Sequence, residues 1–150
     1  MDDTLKLFLY RAHLHGYGSA NAHEEKQEDG ERIIKFHDGD FEFKDVYYGG
    51  NPYAGQEVIF ESGRAIWAMQ YRGSVVEGED YILTYAFLRE TLVNTEIGLL
   101  RGEDGFSKNG FLYNIEMHGD LNDFNAKEII SRSGRIVYTA NFLGGLVDIK

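Results

Sequence analysis

The sequence predicts a single α+β domain. Its antiparallel sheet is built from two pseudo-repeats, over roughly residues 1–75 and 76–150, each a helix followed by about three strands. Three observations predict it. The first is an internal likeness: residues 53–73 (YAGQEVIFESGRAIWAMQYRG) align with residues 124–144 (FNAKEIISRSGRIVYTANFLG) at a shift of 71. Six of the 21 aligned pairs are identical, among them Glu57/Glu128, Ser62/Ser133, Gly63/Gly134 and Arg64/Arg135. About one or two matches are expected by chance at ordinary residue frequencies. The second is an aromatic content of 14%, with ten Tyr and ten Phe, which suits sheet faces and pockets better than a helical bundle. The third is the order of the periodicities, helical and then alternating, met twice along the chain.

The first element is a helix over residues 4–13. Leu5, Phe8, Leu9 and Ala12 share one face, with Asp2, Asp3 or Thr4 placed to cap its start. Residues 16–30 turn glycine-rich and then acidic, which reads as a mobile loop. Alternating segments follow over 32–37 and 41–48, and then a hairpin over 56–71 that turns at Ser62-Gly63. A second helix is expected over 79–93, with Tyr81, Tyr85, Leu88 and Leu92 at helical spacing and Asp80 near its start. A glycine-bearing loop leads to residues 111–118, which match 41–48 at a shift of 70, and a second hairpin over 127–142 completes the copy. Residues 146–150 are read as a short edge strand.

With a two-residue turn at Ser62-Gly63, facing residues have numbers that sum to 125. That register puts Val58, Phe60, Trp67, Met69 and Tyr71 on one broad aromatic face. It puts Glu57 on the other, with Ile59, Ile66, Ala68 and Gln70. The second copy repeats the pattern with Glu128, Ile130, Val137, Thr139 and Asn141, and Tyr138 falls where Trp67 stands in the first. A carboxylate on an apolar face is costly unless it is hydrogen-bonded or wet. Glu57 and Glu128 with Gln70 and Asn141 are therefore candidate polar anchors of a ligand cavity, or satisfied internal pairs that fix register. The loop holding Tyr48, Gly49, Gly50 and Tyr53 adds stacking surface, hydroxyls and glycines that let backbone approach a ligand, though it also serves as a plain turn. Trp67, Tyr71 and Tyr138 complete the candidate ligand-binding set.

Other chemistries find less support. Without cysteine, disulfides, thiolate metal sites and cysteine nucleophiles are excluded. The histidines lack metal-site spacing and read as surface or helix-end residues. Gly16-Tyr17-Gly18 lacks the spacing of a dinucleotide fingerprint and the lysine of a P-loop, and no serine sits in a nucleophile elbow. A formal net charge of −10 argues against direct nucleic-acid binding. No stretch approaches the roughly 20 apolar residues of a membrane span, and the N-terminus lacks the basic start of a secretory signal, so a cytoplasmic location is expected.

The run from Gly39 to Gly73 resembles an uncharacterised bacterial family, a domain of unknown function. It does so through Gly39-Asp40-Phe41, Tyr48-Gly49-Gly50, Gly55 with Glu57, and Ile66-Trp67-Ala68-Met69 with Tyr71 and Gly73. Some members of that family sit behind helix-turn-helix regulators of the xenobiotic-response-element type. The chain departs from the pattern at Gln56, where a second acid is expected beside Glu57, and in a thinned early glycine cluster. With no helix-turn-helix ahead of it, the resemblance implies a sensing part without the DNA reader, and it implies no activity.

The functional expectation is a non-enzymatic, sensor-type domain that binds an unknown small molecule between two pseudo-symmetric halves, without a cofactor. The alternative is a protein-interaction module that pairs with itself or with a regulator protein. A hydrolase or isomerase using the two glutamates comes third.

Overall fold

The computed structural model describes residues 1–17, 24–148 and 150. The chain runs α1 (Asp3–Tyr17), β1 (Glu24–Lys26), β2 (Arg32–Asp38), β3 (Phe41–Gly49), β4 (Tyr53–Glu61), β5 (Arg64–Val75), α2 (Tyr81–Val93), β6 (Ser107–Lys108), β7 (Phe111–Asp120), β8 (Asp123–Arg132) and β9 (Arg135–Leu146). The nine described strands form one antiparallel sheet in the order β1-β2-β3-β4-β5-β9-β8-β7-β6. Both helices pack on the sheet and against one another, α1 over β2 and β3 and α2 over β7. The fold is thus α+β and mostly sheet. No helix of the described residues is long and apolar enough to cross a membrane.

Helix α1 buries the predicted face, Leu5, Phe8, Leu9 and Ala12, and continues past the expected end to bury His13 as well. Phe8 packs against Phe36 and Phe41 of the neighbouring strands. Helix α2 starts at Tyr81 rather than at residue 79, because the Asp80 side chain caps it by accepting the Leu83 N–H at 3.0 Å. Leu88 and Leu92 are buried, whereas Tyr81 stands exposed.

Both hairpins turn where expected. Ser62 and Gly63 have φ of 49° and 79°, and Ser133 and Gly134 have 51° and 75°. Two successive positive φ values are the signature of a tight hairpin turn matched to the twist of its strands. Beyond the turn the predicted register fails. Phe60 faces Ala65 as expected, but Ile59 then faces Trp67, leaving Ile66 without a partner across the pair. The second hairpin does the same: Ser131 faces Ile136, Ile130 faces Tyr138, and Val137 is passed over. Each is a β-bulge, and one extra residue moves every later side chain of a strand to the other face.

The bulge corrects the expected faces. Glu57 faces Met69 and Glu128 faces Ala140 across the strand pair, so each glutamate shares the helix-covered face with Ile59, Trp67 and Tyr71, or with Ile130, Tyr138 and Phe142. Gln70 and Asn141 point to the opposite, exposed face and leave the proposed carboxylate–amide pairs unmade.

Strands β5 and β9 join the two hairpins in mid-sheet, with Tyr71 directly opposite Phe142. Two cross-strand pairs set an aromatic ring over a glycine, Tyr53 over Gly73 and Phe124 over Gly144. A Cβ at either glycine would collide with that ring, so only glycine fits under it. Trp67 is wholly buried at the junction, stacked on Phe124, and its indole N–H donates to the Leu121 carbonyl at 2.9 Å.

Three expectations change at the margins. Part of the loop expected over residues 16–30 lies outside the described residues, at 18–23, while Gly16 and Tyr17 belong to α1 and residues 24–26 form β1. Residues 107–108, read as loop, form the short edge strand β6. Among the described residues no separate strand follows Leu146: β9 itself reaches that residue, and the Val147 N–H donates to the Ile66 carbonyl at 3.0 Å.

Candidate functional site

The polar groups of the helix-covered face form a buried chain. From α1, His13 and Tyr17 lie one turn apart on the sheet-facing side, in line with Leu9. His13 Nε2 and Tyr17 Oη each lie 2.7 Å from a different oxygen of the Glu57 carboxylate. Burial pushes the Glu57 carboxyl up, but the charge and hydrogen bond of His13 and the Tyr17 hydroxyl outweigh it and hold the group below the usual carboxylate range.

Glu128 is held by different partners. Arg101, from the loop after α2, donates to it through Nε at 3.0 Å and Nη2 at 3.1 Å. The Tyr113 and Tyr138 hydroxyls donate at 2.6 and 2.9 Å, and Tyr53 hydrogen-bonds Tyr138 in turn. Such a two-pronged guanidinium–carboxylate contact is the strong form of the ion pair. The Arg101 backbone is fixed too: its carbonyl accepts the Thr95 hydroxyl at 2.6 Å, and Gly102 packs so close to Thr91 that a Cβ there would collide with it.

Arg101 links the two glutamate clusters. Its guanidinium lies 4.9 Å from the centroid of the Tyr17 ring and 4.8 Å from that of Phe142, a stacking geometry that suits a desolvated planar cation. A third carboxyl, Asp45 of β3, lies directly across the strand pair from Glu57 and accepts the Tyr71 hydroxyl at 2.5 Å. Burial and the nearby Glu57 charge raise the Asp45 pKa to about 8. Burial, with Asp45 beside it, also drives the Tyr71 hydroxyl far up.

Above this network, between the helices and the sheet, lies a cavity of about 280 Å³. Its floor is Asp45, Tyr53, Tyr71, Arg101 and Phe142; Tyr17, Leu88 and Leu92 come from the helices, and Arg32, Arg89 and the Gly49-Gly50 loop stand around them. That loop is pinned by Asn51, whose Oδ1 accepts the Val75 N–H at 2.8 Å and the Tyr85 hydroxyl at 2.9 Å.

The sequence-predicted residues divide into three groups. Gly49, Gly50, Tyr53 and Tyr71 line the cavity. Glu57, Glu128 and Tyr138 are buried beside it and hold the groups that do line it. Trp67 belongs to the core, Tyr48 bonds Glu31 near the surface, and Gln70 and Asn141 lie on the far face. His13 is a correction: it is buried on a carboxylate rather than placed at the surface.

The two glutamates stand on β4 and β8, with β5 and β9 between them. Three strand spacings set their backbones roughly 14 Å apart, and each carboxylate is engaged by its own set of partners. Every buried polar side-chain atom of the described residues has a partner, so the glutamates orient other groups. Among those residues no three His, Asp or Glu side chains converge as metal ligands would. What faces the cavity is aromatic surface, tyrosine hydroxyls, one carboxyl and arginine.

Fold and site together define an α+β domain with a nine-stranded antiparallel sheet and a tyrosine–arginine cavity beneath two helices. Residues 45–147 match the family described as Domain of unknown function (DUF5680), and the chain belongs to that family. The matched span holds Asp45, Glu57, Tyr71, Arg101 and Glu128; His13 and Tyr17 lie ahead of it. No curated protein and no solved structure matches the chain.

Proposed function

We propose that this chain is a non-enzymatic binding module that takes a small molecule into the cavity over Arg101, in the manner of a sensor or regulatory domain. One observation carries the reading. Arg101, Tyr53 and Tyr71 line a cavity of about 280 Å³, and each is held in place by a buried carboxyl group or tyrosine. Fixed polar groups in an otherwise apolar concavity are the ordinary make-up of a small-molecule site.

The same reading takes residues 41–73 and 111–144 as products of one duplication whose halves have diverged at the site. It draws support from bulges, turns and ring-over-glycine pairs that recur at a shift of 71, and from Tyr71 pairing with the residue 71 positions later, Phe142. An interaction module remains the second reading. It is favoured by Leu112 and Ile136, which flank Ser131 on the sheet face away from the helices and are 39% and 49% exposed.

The test is a thermal-shift and native mass-spectrometry screen against metabolite classes. A ligand at one hundred times its Kd should stabilise the fold by about 2.7 kcal/mol, and replacing Tyr53 or Tyr71 with Ala should remove that shift. Stabilisation by no class, with a dimer in light scattering that Ile136→Asp dissociates, would favour the interaction module.

A further inference from the structure

Resting on that reading of the cavity, we infer that its ligand is a small planar organic acid, with its carboxylate or phosphate between Arg32 and Arg89 and its ring among the tyrosines. Charge is the first argument. The chain holds 25 acidic and 15 basic residues, yet with Arg101 neutralised by Glu128 the cavity lining still reverses the balance, with Arg32 and Arg89 against the single carboxyl of Asp45. A concentration of one charge sign against the trend of the whole surface focuses the local field and draws the opposite ion.

The second argument is placement. Arg101 is committed to Glu128, which leaves Arg32 and Arg89, among the described residues that line the cavity, as the cations placed to meet a ligand. Arg32 comes from β2 and Arg89 from α2, so they enter from the sheet wall and the helix wall. The Arg32 guanidinium lies 5.8 Å from the centroid of the Tyr47 ring, which also lines the cavity. Guanidinium groups set this way recognise carboxylate and phosphate oxygens in pairs.

The Asp45 carboxyl does not cancel this field. With its pKa raised to about 8 by burial and Glu57, it keeps its proton at neutral pH and adds no negative charge to the floor. Size sets the scale of the ligand: about 280 Å³ falls just below the roughly 300–1,000 Å³ of ligand pockets, room for one ring and its acidic group. The rings of Tyr53, Tyr71, Tyr85 and Phe142 supply flat apolar surface for that ring.

The experiment titrates the ¹⁵N-labelled full chain with benzoate and phenyl phosphate, and with their neutral shape-mates benzamide and benzyl alcohol. Both anions should move the amide resonances of Tyr53, Tyr71 and Leu88 and bind at least tenfold tighter than the neutral compounds. An Arg32→Gln/Arg89→Gln double variant, folded with an unchanged Tm, should lose at least tenfold in anion affinity and stay within twofold for the neutral compounds. If benzoate leads phenyl phosphate, or the reverse, the ligand's acid is of that kind. Neutral compounds binding as tightly as the anions, or anion binding unchanged in the double variant, overturns the acid assignment while the cavity reading stands. If none of the four moves those resonances, the acid assignment is overturned, and the cavity reading is decided by the metabolite screen.

Discussion

Asp45 and Glu57 face each other on adjacent strands, and like charges set directly opposite repel. His13 and Tyr17 serve Glu57, so Asp45 is the acid that stays protonated. The consequence for stability has a definite sign. Between the ordinary carboxyl pKa near 3.8 and the folded value of about 8, the folded state holds a proton at Asp45 that the unfolded chain has lost. Stability from this group therefore falls as pH rises through that window, by at most about 1.4 kcal/mol per pH unit. Asp45→Asn keeps an acceptor for Tyr71 and removes the titration. In urea unfolding at pH 5, 7 and 8.5, the variant should match the wild type most nearly at pH 5 and gain on it as pH rises. A constant difference at all three would mean that Asp45 ionises normally. The two glutamates were legible in the sequence as a repeated carboxylate on an apolar face. Asp45, His13 and Tyr17 were passed over, although Asp45 follows Phe41 and Phe43 at period two and His13 and Tyr17 follow Leu9 at helical spacing. Each is a polar residue at a position whose neighbours in the pattern are buried. Arg101 was not legible, because it sits in a loop and its only signature is a partner 27 residues away.

At the scale of elements, turn chemistry was readable and strand register was not. Ser62-Gly63 and Ser133-Gly134 announced their hairpins because few residues accept positive φ, whereas the bulges at Ile66 and Val137 fall on residues that look like ordinary strand formers. A bulge is decided by what the two faces bury. Here it turns Trp67 and Tyr138 onto the same side as Glu57 and Glu128, and without it the polar network would lose Tyr138. The turns offer a clean measurement. Nothing lies within 4 Å of a Cβ built at Gly63 or Gly134, and φ is 79° and 75°. Alanine at either position therefore adds conformational strain without a clash. Gly63→Ala and Gly134→Ala should each cost roughly 1–2 kcal/mol, and the double variant should lose their sum, since the turns share no contacts. Denaturant titration measures all three; a neutral substitution would mean that the turn relaxes to another type.

Across the whole molecule, two hairpins that could have been separate units are tied by the β5–β9 pairing, by Trp67 reaching Leu121 and Phe124, and by Arg101 lying between Tyr17 and Phe142. That arrangement predicts one cooperative transition. Glu128→Gln removes the charge that balances buried Arg101, and breaking one side of such a pair costs about 3–5 kcal/mol. A domain near the middle of the usual 5–15 kcal/mol of stability, about 10 kcal/mol, remains folded after that loss. The chain's single tryptophan, Trp67, belongs to the first hairpin, so its fluorescence reports on the half that does not carry the substitution. If the sheet is one unit, the urea midpoint by Trp67 fluorescence falls as far as the midpoint by far-UV circular dichroism, and the two curves superimpose. Were Trp67 to keep its wild-type midpoint while circular dichroism split into two steps, the hairpins would be unfolding independently. Arg101 would then be bracing only its own half, and a cavity floored by residues from both halves would have no single rigid frame.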